Sequence, residues 1–307
     1  MQPRSALADL QKLTTFSVLA AAAGWLAWFW SSSPWLAVGG TLGIAFVHGF
    51  VLALEFTALY LVRAGGGDGA DTPRPTPPQL AKAWAGETLM ALRVFCWRQP
   101  FRWREVPDNV ESASLAGRRG VVFIHGFVCN RGFWTPWLKI LQSRNHAFMA
   151  VNLEPVFGSI SAYVPVVEAA VHRVTSVTGL PPLLVCHSMG GLAARAWLQA
   201  MGGHDRVAHV VTIASPHHGT WLARFSRFTN GREMRQGSPW LEALERAEAG
   251  RPHHALTCWY TNCDNIVFPV GTATLPGADN RLLRGVAHVD LAFDPEVIES
   301  SLGRLAT

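Results

Sequence analysis

The chain has 307 residues, of which 49% are hydrophobic and only 15% are charged, with a formal net charge of +5. A mean hydropathy of +0.17 is high for a protein that lies entirely in water, so part of the apolar content is expected to lie in lipid. The basic residues are scattered and accompany no nucleic-acid motif, which argues against nucleic-acid binding. The five cysteines lack regular spacing and any CxxC pattern, which argues against a disulfide framework and a zinc site, although Cys258 and Cys263 could still pair.

Residues 1–63 are predicted to form a transmembrane hairpin of two helices. Apolar runs cover residues 14–30 and 35–62, and a helix needs about 20 residues to cross the hydrocarbon core. The connection contains no charge, and the tryptophans crowded around it are typical of a membrane–water boundary. Because basic residues flank the hairpin, the positive-inside rule places both ends, and the rest of the chain, on the cytoplasmic side of the inner membrane. These basic residues are Arg4, Lys12, Arg63, Arg74 and Lys82.

Other features of the hairpin leave alternatives open. A charged start before an apolar centre also suits a cleavable signal peptide, but a second span directly after it is not typical of one. Gly39 and Gly43 have the small-xxx-small spacing that can bring membrane helices together. His48 and Glu55 share a helix face, and because the span offers no third polar partner, we expect them to pair with each other or to pack in an oligomer.

Residues 64–78 are rich in glycine and proline and are predicted to be a linker. The main domain would then cover residues 79–307. Its first apolar residues, from Leu80 to Leu92, recur near the helical period and predict an amphipathic helix. That helix would lie on the membrane surface or pack against the domain.

From Gly120 onward, short apolar runs alternate with helical stretches. The predicted strands are VVFIHG, AFMAVNL, PLLVCHS, RVAHVVTIASP and LTCWY. Continuous apolar strands between helices are typical of a parallel sheet that is covered on both faces. The predicted fold class is therefore α/β.

Ser188 lies in LLVCHSMGGLAARAW, where a predicted buried strand ends and a helix begins. This is the arrangement of a nucleophile elbow, in which a tight turn exposes the serine hydroxyl. Gly190 and Gly191 fit the small-residue pattern of such a turn, but Cys186 replaces its upstream glycine. The alternative is that Ser188 only caps the helix.

Backbone amides near this turn are candidates for an oxyanion hole. The amide of Phe127, after the first predicted strand, and that of Met189, at the helix start, would point at one developing oxyanion. His125 lies in the same loop as Phe127 and is expected to be structural, with its ring packed and hydrogen-bonded within the loop.

A serine hydroxyl becomes a strong nucleophile only when a base takes its proton and a carboxylate orients that base. Asp264 directly follows a predicted strand, and His288 lies in a loop before the last helix, so the chain order is serine, acid, histidine. Asp279 is the alternative acid, in which case Asp264 would serve in an Asx-turn. Other histidines precede the acid in sequence and are expected to pack near the site: His187, His217 and His218.

The segments IHGF, CHSMGGLAARAW, IASPHHGT, CDNIVFP and GVAHVDL together resemble bacterial lipases and esterases of the α/β-hydrolase superfamily, especially the triacylglycerol-lipase-like group. The resemblance extends from about Gly120 to the C-terminus and does not reach the hairpin. It implies an α/β-hydrolase fold with Ser188 as nucleophile, Asp264 as acid and His288 as base. The implied oxyanion donors are the two amides described above, and the chemistry needs no metal or organic cofactor.

Enzymes of this group carry a lid between two core strands, where this chain has residues 220–252. Aromatic and aliphatic residues there would line an acyl pocket or form the lid's own small core. They are Trp221, Leu222 and Phe225, with Phe228 and Trp240. The expected activity is hydrolysis of a lipid or other carboxylic ester at the membrane. Acyl transfer or thioester cleavage by the same triad, and a catalytically silent membrane scaffold, are the alternatives.

Overall fold

A computed structural model describes residues 5–64, 72–250 and 255–306; the predicted linker residues 65–71 lie outside the described residues. The helices are α1 (Ala6–Phe29), α2 (Pro34–Ala45), α3 (Val47–Ala64), α4 (Pro77–Arg93), α5 (Gln99–Phe101), α6 (Thr135–Ser143), α7 (Val164–Thr178), α8 (Met189–Met201), α9 (Thr229–Glu233), α10 (Pro239–Glu248) and α11 (Pro295–Gly303). The strands are β1 (Val121–Ile124), β2 (Phe148–Ala150), β3 (Leu183–His187), β4 (His209–Ile213), β5 (Leu256–Thr261) and β6 (Asp279–Leu283).

The strands form one sheet in the order β2-β1-β3-β4-β5-β6, and every neighbouring pair is parallel. All residues of β1, β3 and β4 are buried, because helices cover both faces of the sheet. Trp197 belongs to the apolar layer on one face, and Trp137 to the layer on the other. The predicted α/β class and parallel sheet are confirmed, and β6 is a strand that the sequence analysis did not predict.

Helices α1 and α2 pack against each other, but not through the glycines that their spacing suggested. A Cβ atom on Gly40 would lie 1.9 Å from Nε1 of Trp25, whereas one on Gly39 or Gly43 would meet nothing within 4 Å. The indole of Trp25 also donates to the Leu36 carbonyl at 3.0 Å. The prediction for Gly39 and Gly43 is therefore wrong, because the close approach occurs on a neighbouring part of the α2 surface.

The predicted second span over residues 35–62 is not one straight helix. It is divided into α2 and α3, and the two segments are bent by 55° at the break. Among the described residues, α1 is the one unbroken helix that is long and apolar enough to cross a membrane, and the bent pair passes the same test only when its members are taken together. Length and composition alone therefore support one apolar span, while a two-span hairpin stays a prediction.

Helix α3 turns away from α2 because its own partners lie on the sheet domain. Phe56 and Leu59 are buried in an apolar cluster with Phe268 and Ala287, which come from loops beyond β5 and β6. Arg63 adds a polar contact by donating from Nη1 to the Asn262 carbonyl at 3.0 Å. The end of the predicted hairpin is thus packed onto the domain that it precedes.

Helix α4 begins within the predicted linker and packs against the sheet domain. Thr76 and Gln79 form a capping box, in which each side chain bonds the other residue's backbone N–H, so the helix begins at Pro77. The buried side of α4 includes Ala83 and Glu87. Of the two places predicted for this amphipathic helix, the structure gives it the one against the domain.

The predicted lid segment contains a short 3-10 helix at Trp221–Phe225, then α9 and α10; its residues 251 and 252 are not described. It is bonded to the rest of the domain by residues of α9 and α10. On α9, Glu233 accepts from Ser159 Oγ and from the Ile160 N–H, both at 2.7 Å. On α10, Glu248 forms a buried ion pair with Arg195 of α8. Polar contacts therefore fix the segment to the rest of the domain.

Candidate active site

Ser188 sits on a sharp turn between β3 and α8. Its backbone has φ 52° and ψ −127°, in a region that non-glycine residues avoid, and its N–H donates to the Ile213 carbonyl at 2.8 Å. The Ser188 side chain makes no capping hydrogen bond to α8, so capping does not explain the serine. A strained turn at the carboxyl end of a central strand is the geometry of a nucleophile elbow.

Close backbone contacts explain the small residues around this turn. A Cβ atom on Gly190 would lie 2.3 Å from the Ile124 carbonyl oxygen, and one on Gly126 would lie 2.8 Å from Cβ of Ser188. Cys186, which stands where the pattern has a glycine, is fully buried on the face of β3 that packs against α8. Burial raises the pKa of the Cys186 thiol, so it stays protonated and serves as a small apolar side chain.

Asp264 and His288 form a buried pair. Nδ1 of His288 lies 3.0 Å and 3.1 Å from the two carboxylate oxygens of Asp264. Burial acts to lower the pKa of His288, but the charge and hydrogen bond of Asp264 outweigh it, with Glu87 and Glu55 adding to the same direction, so the pKa is raised above its usual value. With Nδ1 held by the carboxylate, Nε2 of the imidazole is the atom left to accept a proton.

Asp279, the alternative acid, lies elsewhere. It is the first residue of β6, at the amino end of the strands, and its carboxylate pairs with Arg281 at 2.7 Å and Arg304 at 3.2 Å. Because Ser188 and the Asp264 loop follow strands while Asp279 begins one, the sheet separates Asp279 from the elbow.

The backbone of His288 is held beside the elbow by His187, the residue before Ser188. Nε2 of His187 bonds the His288 carbonyl at 3.2 Å, and the two imidazole rings are 4.7 Å apart. Burial, and then the charge of His288, lower the pKa of His187 well below its usual value. His187 therefore stays neutral and links the loop of the base to the turn of the serine.

The amides predicted for the oxyanion hole are both at this edge of the sheet. Among the described residues, the N–H groups of Phe127 and Met189 donate to no atom of the chain, so both are available to a ligand. His125 fixes the Phe127 loop: its Nδ1–H donates to the Gly126 carbonyl at 2.9 Å, and its Nε2 accepts from the Leu153 N–H at 3.0 Å. Burial lowers the pKa of His125 to about 4, which agrees with the structural role expected for it.

The predicted acyl-pocket residues are divided between two environments. Trp221 and Leu222 pack against the apolar cluster that includes Leu59 of α3, while Phe225 is 67% exposed. Phe228 has other aromatic neighbours: its ring centroid is 4.0 Å from that of Phe157, in a stacked arrangement, and 6.5 Å from that of Phe127. The ring centroids of Trp221 and Phe225 are 5.3 Å apart, so these two predicted pocket residues are in contact with each other. An acyl pocket formed by them stays a prediction.

Phe157 was not singled out in the sequence, and its side chain lies between Phe127 and an apolar groove. Its ring centroid is 5.9 Å from that of Phe127. It also lines a groove of about 440 Å³ between the start of α1, at Ala6–Leu10, and the loop at Glu154–Gly158.

The sequence analysis also missed contacts that two glutamates make with the loops containing Asp264 and His288. Glu87 of α4 accepts from the N–H groups of Val289 and Asp290 at 3.0 Å and 3.1 Å. Glu55 of α3 accepts from Nδ2 of Asn265 at 2.7 Å, so its partner within the chain is Asn265 and not His48. The expected pairing of His48 with Glu55 is therefore wrong.

Residues 121–297 match the model of the alpha/beta hydrolase family. The chain belongs to this family. The match begins at β1 and ends in α11, so it contains Ser188, Asp264 and His288 and leaves α1–α5 outside. The resemblance found in the sequence is thereby confirmed, and the first five helices lie outside the matched residues.

Two solved lipase structures share the fold. The mature form of Bacillus licheniformis lipase BlEst2 has a TM-score of 0.55 and 15% identity, and the match covers 62% of this chain and 92% of that one. Aspergillus fumigatus lipase B has a TM-score of 0.56 and 17% identity, and the match covers 62% of this chain and 53% of the other. This chain therefore spans about half the length of the fungal lipase.

Proposed function

We propose that this alpha/beta hydrolase is a membrane-anchored serine hydrolase that cleaves carboxylic esters through an acyl-enzyme. One observation carries the proposal: Ser188 occupies a strained turn without a capping bond, and the preceding residue, His187, bonds the backbone carbonyl of His288. Asp264 holds Nδ1 of the same His288. A serine at such a turn beside an oriented imidazole has the parts that acyl transfer needs.

In the first half-reaction, Oγ of Ser188 attacks the ester carbonyl carbon while Nε2 of His288 takes the hydroxyl proton. Negative charge moves to the carbonyl oxygen, where the amides of Phe127 and Met189 donate to it. When the C–O bond to the leaving group breaks, His288 returns the proton to the departing alkoxide. The alcohol leaves, and the acyl group remains on Ser188.

In the second half-reaction, His288 removes a proton from water and the resulting hydroxide attacks the acyl carbon. The same amides hold the oxyanion, and collapse releases the carboxylic acid and restores the Ser188 hydroxyl with the proton from His288. Asp264 stays ionised throughout and offsets the charge on the imidazolium.

A lipid-like ester is the proposed substrate class. The support comes from the surroundings of the oxyanion loop, where the rings of Phe127, Phe157 and Phe228 lie together and an apolar groove opens beside Phe157. Apolar walls next to an oxyanion donor favour a long or branched acyl chain over a charged one.

Membrane anchoring is supported by the apolar side chains that α1–α3 leave uncovered. Only 6% of the apolar window of α1 is buried, and Trp28 and Trp35 near its connection to α2 are 79% and 88% exposed. Such a surface is too large and too apolar to face water. Aromatic contacts extend this apolar surface beyond α4, since the ring centroid of Phe101 lies 5.7 Å from that of Phe16 and 5.9 Å from that of Trp97.

The enzymatic part is tested with Ser188→Ala in the full-length protein. We expect hydrolysis of p-nitrophenyl esters to fall to the background rate, because the nucleophile is removed while the fold is kept. Ser176→Ala is the matched control, since Ser176 is an exposed serine on α7. Retained turnover in Ser188→Ala would refute the assignment, and product analysis with an added alcohol would distinguish hydrolysis from acyl transfer.

The anchoring is tested separately by flotation of the full-length protein with phospholipid vesicles. We expect it to float with the vesicles and to resist extraction by alkaline carbonate, as embedded helices do. Recovery in the soluble fraction would contradict anchoring. Protease treatment of sealed spheroplasts tests the proposed cytoplasmic orientation, because cleavage of the linker from outside would reverse it.

A further inference from the structure

The loops of the acid and the base are held in part by helices that lie outside the match to the alpha/beta hydrolase family. Glu87 of α4 is 2% exposed, and both of its carboxylate oxygens accept from the Val289 N–H. One of those oxygens also accepts from the Asp290 N–H. The backbone that directly follows His288 is thus fixed to a buried carboxylate on α4.

Helix α3 is also linked to the backbone of His288, through Asn265. Glu55 accepts from Nδ2 of Asn265, and Oδ1 of Asn265 accepts from the backbone N–H of His288 at 3.3 Å. Asn265 also follows Asp264 directly in the chain. One hydrogen-bonded chain therefore runs from Glu55 through Asn265 to the base.

From these contacts we propose that Glu87 and Glu55 are positioning residues of the active site, through which α3 and α4 set the place of His288. The inference rests on the proposed function, because it assigns these residues to the base of that same site. The helices outside the match would then be more than an anchor, since two of them complete the catalytic geometry.

The electrostatic part follows from the charges that surround His288. Three carboxylates act on His288, those of Asp264, Glu87 and Glu55. The imidazole of His187 is a further titratable group beside it. Burial raises the pKa of Glu87 to about 7, while His288 and the two backbone N–H groups act to lower it. A buried carboxylate next to an imidazole stabilises the imidazolium that forms during proton transfer.

The test compares wild type with Glu87→Gln and Glu55→Gln, by measuring the rate at which a fluorophosphonate labels Ser188 across pH. In Glu87→Gln, we expect the rate at the alkaline plateau to fall about 10- to 100-fold, because the amide NH₂ group that replaces one carboxylate oxygen cannot accept from the Val289 N–H and pushes the loop away. The midpoint of the acid limb should move about one pH unit lower, because a carboxylate that raises the pKa of His288 is removed.

Glu55→Gln separates charge from position. The amide oxygen of glutamine still accepts from Asn265, so we expect the plateau to be kept within about threefold while the midpoint again moves to lower pH. This variant also keeps the proposal testable if Glu87→Gln does not fold. Glu111→Gln, at an exposed carboxylate before β1, is the control and should change neither quantity.

A lower plateau with an unmoved midpoint in Glu87→Gln would reduce Glu87 to a structural contact and overturn the proposal, as would a wild-type profile in both variants. Failure of wild type to label at Ser188 would instead count against the proposed function. In that case the titration of the His288 ring by NMR decides the inference, which requires the pKa to be lower in the two variants than in wild type.

Discussion

The sheet and the first three helices are both strongly apolar, yet they hide their side chains in opposite ways. All residues of β3 are buried between two layers of helices, whereas only 6% of the apolar window of α1 is buried. Hydrophobic composition alone thus requires burial without specifying what covers the surface. In the sheet the cover is other parts of the chain, and for α1 we propose lipid.

Helix α3 has one face that is covered by the sheet domain and another that the protein leaves exposed. Leu59 is fully buried against the sheet domain, while Leu54 of the same helix is 54% exposed. Glu55 lies on this helix and bonds to Asn265 next to the proposed acid. The comparison therefore predicts that changes on the domain face of α3 act on the enzyme and changes on the other face act on lipid binding.

The largest effect is expected inside the sheet domain, from Asp264→Asn. Without the carboxylate, the imidazole of His288 loses the partner that fixes its tautomer and offsets its charge, and kcat should fall about 10⁴-fold. Steady-state ester hydrolysis measures this. Asp279→Asn is the matched control, because Asp279 pairs with Arg281 and Arg304 at the amino end of the strands. A comparable fall in kcat for Asp279→Asn would show that the acid has been misassigned.

A smaller effect is expected where the two regions meet, from Leu59→Ala. The cavity left in the cluster with Phe268 should destabilise the protein by about 2–5 kcal/mol, and the midpoint of thermal inactivation should fall. Leu54→Ala on the exposed face should change that midpoint little. Equal effects of the two substitutions would mean that α3 does not have separate protein and lipid faces.

The smallest effect is expected within the anchor, from Gly40→Ala. The new methyl group would collide with the Trp25 indole, and forcing α1 and α2 apart should cost about 1–3 kcal/mol. Gly39→Ala meets no atom and serves as the control. Detergent resistance of the anchor measures both variants, and we expect ester hydrolysis to be unchanged in each. A stronger effect at Gly39 would place the helix contact where the spacing had suggested it.

The buried part of the fold was predictable because its signals are local. Strands such as VVFI and LLVCH are continuous apolar runs, and they require no knowledge of distant contacts. The edge strand β6 was missed because its sequence, DNRLL, is largely polar and none of its residues is fully buried. The bend between α2 and α3 was also missed, since its cause is the packing of α3 on the sheet domain.

The same distinction explains the site. Ser188, Asp264 and His288 were predicted from motifs and chain order, and the structure brings the last two to 3.0 Å from each other. Glu87 carries no local signal, because its partner lies 202 residues away in the chain. Glu55 was conspicuous as a charge in an apolar run, but the sequence could not reveal Asn265, 210 residues away, as its partner.

The central claim is that Ser188 is the nucleophile, and the most direct measurement is mass spectrometry of the full-length protein after reaction with a fluorophosphonate. The account predicts one adduct per chain, located on Ser188, that is absent in Ser188→Ala and forms far more slowly in Asp264→Asn. An adduct on a different residue, or undiminished labelling of Ser188→Ala, would contradict it.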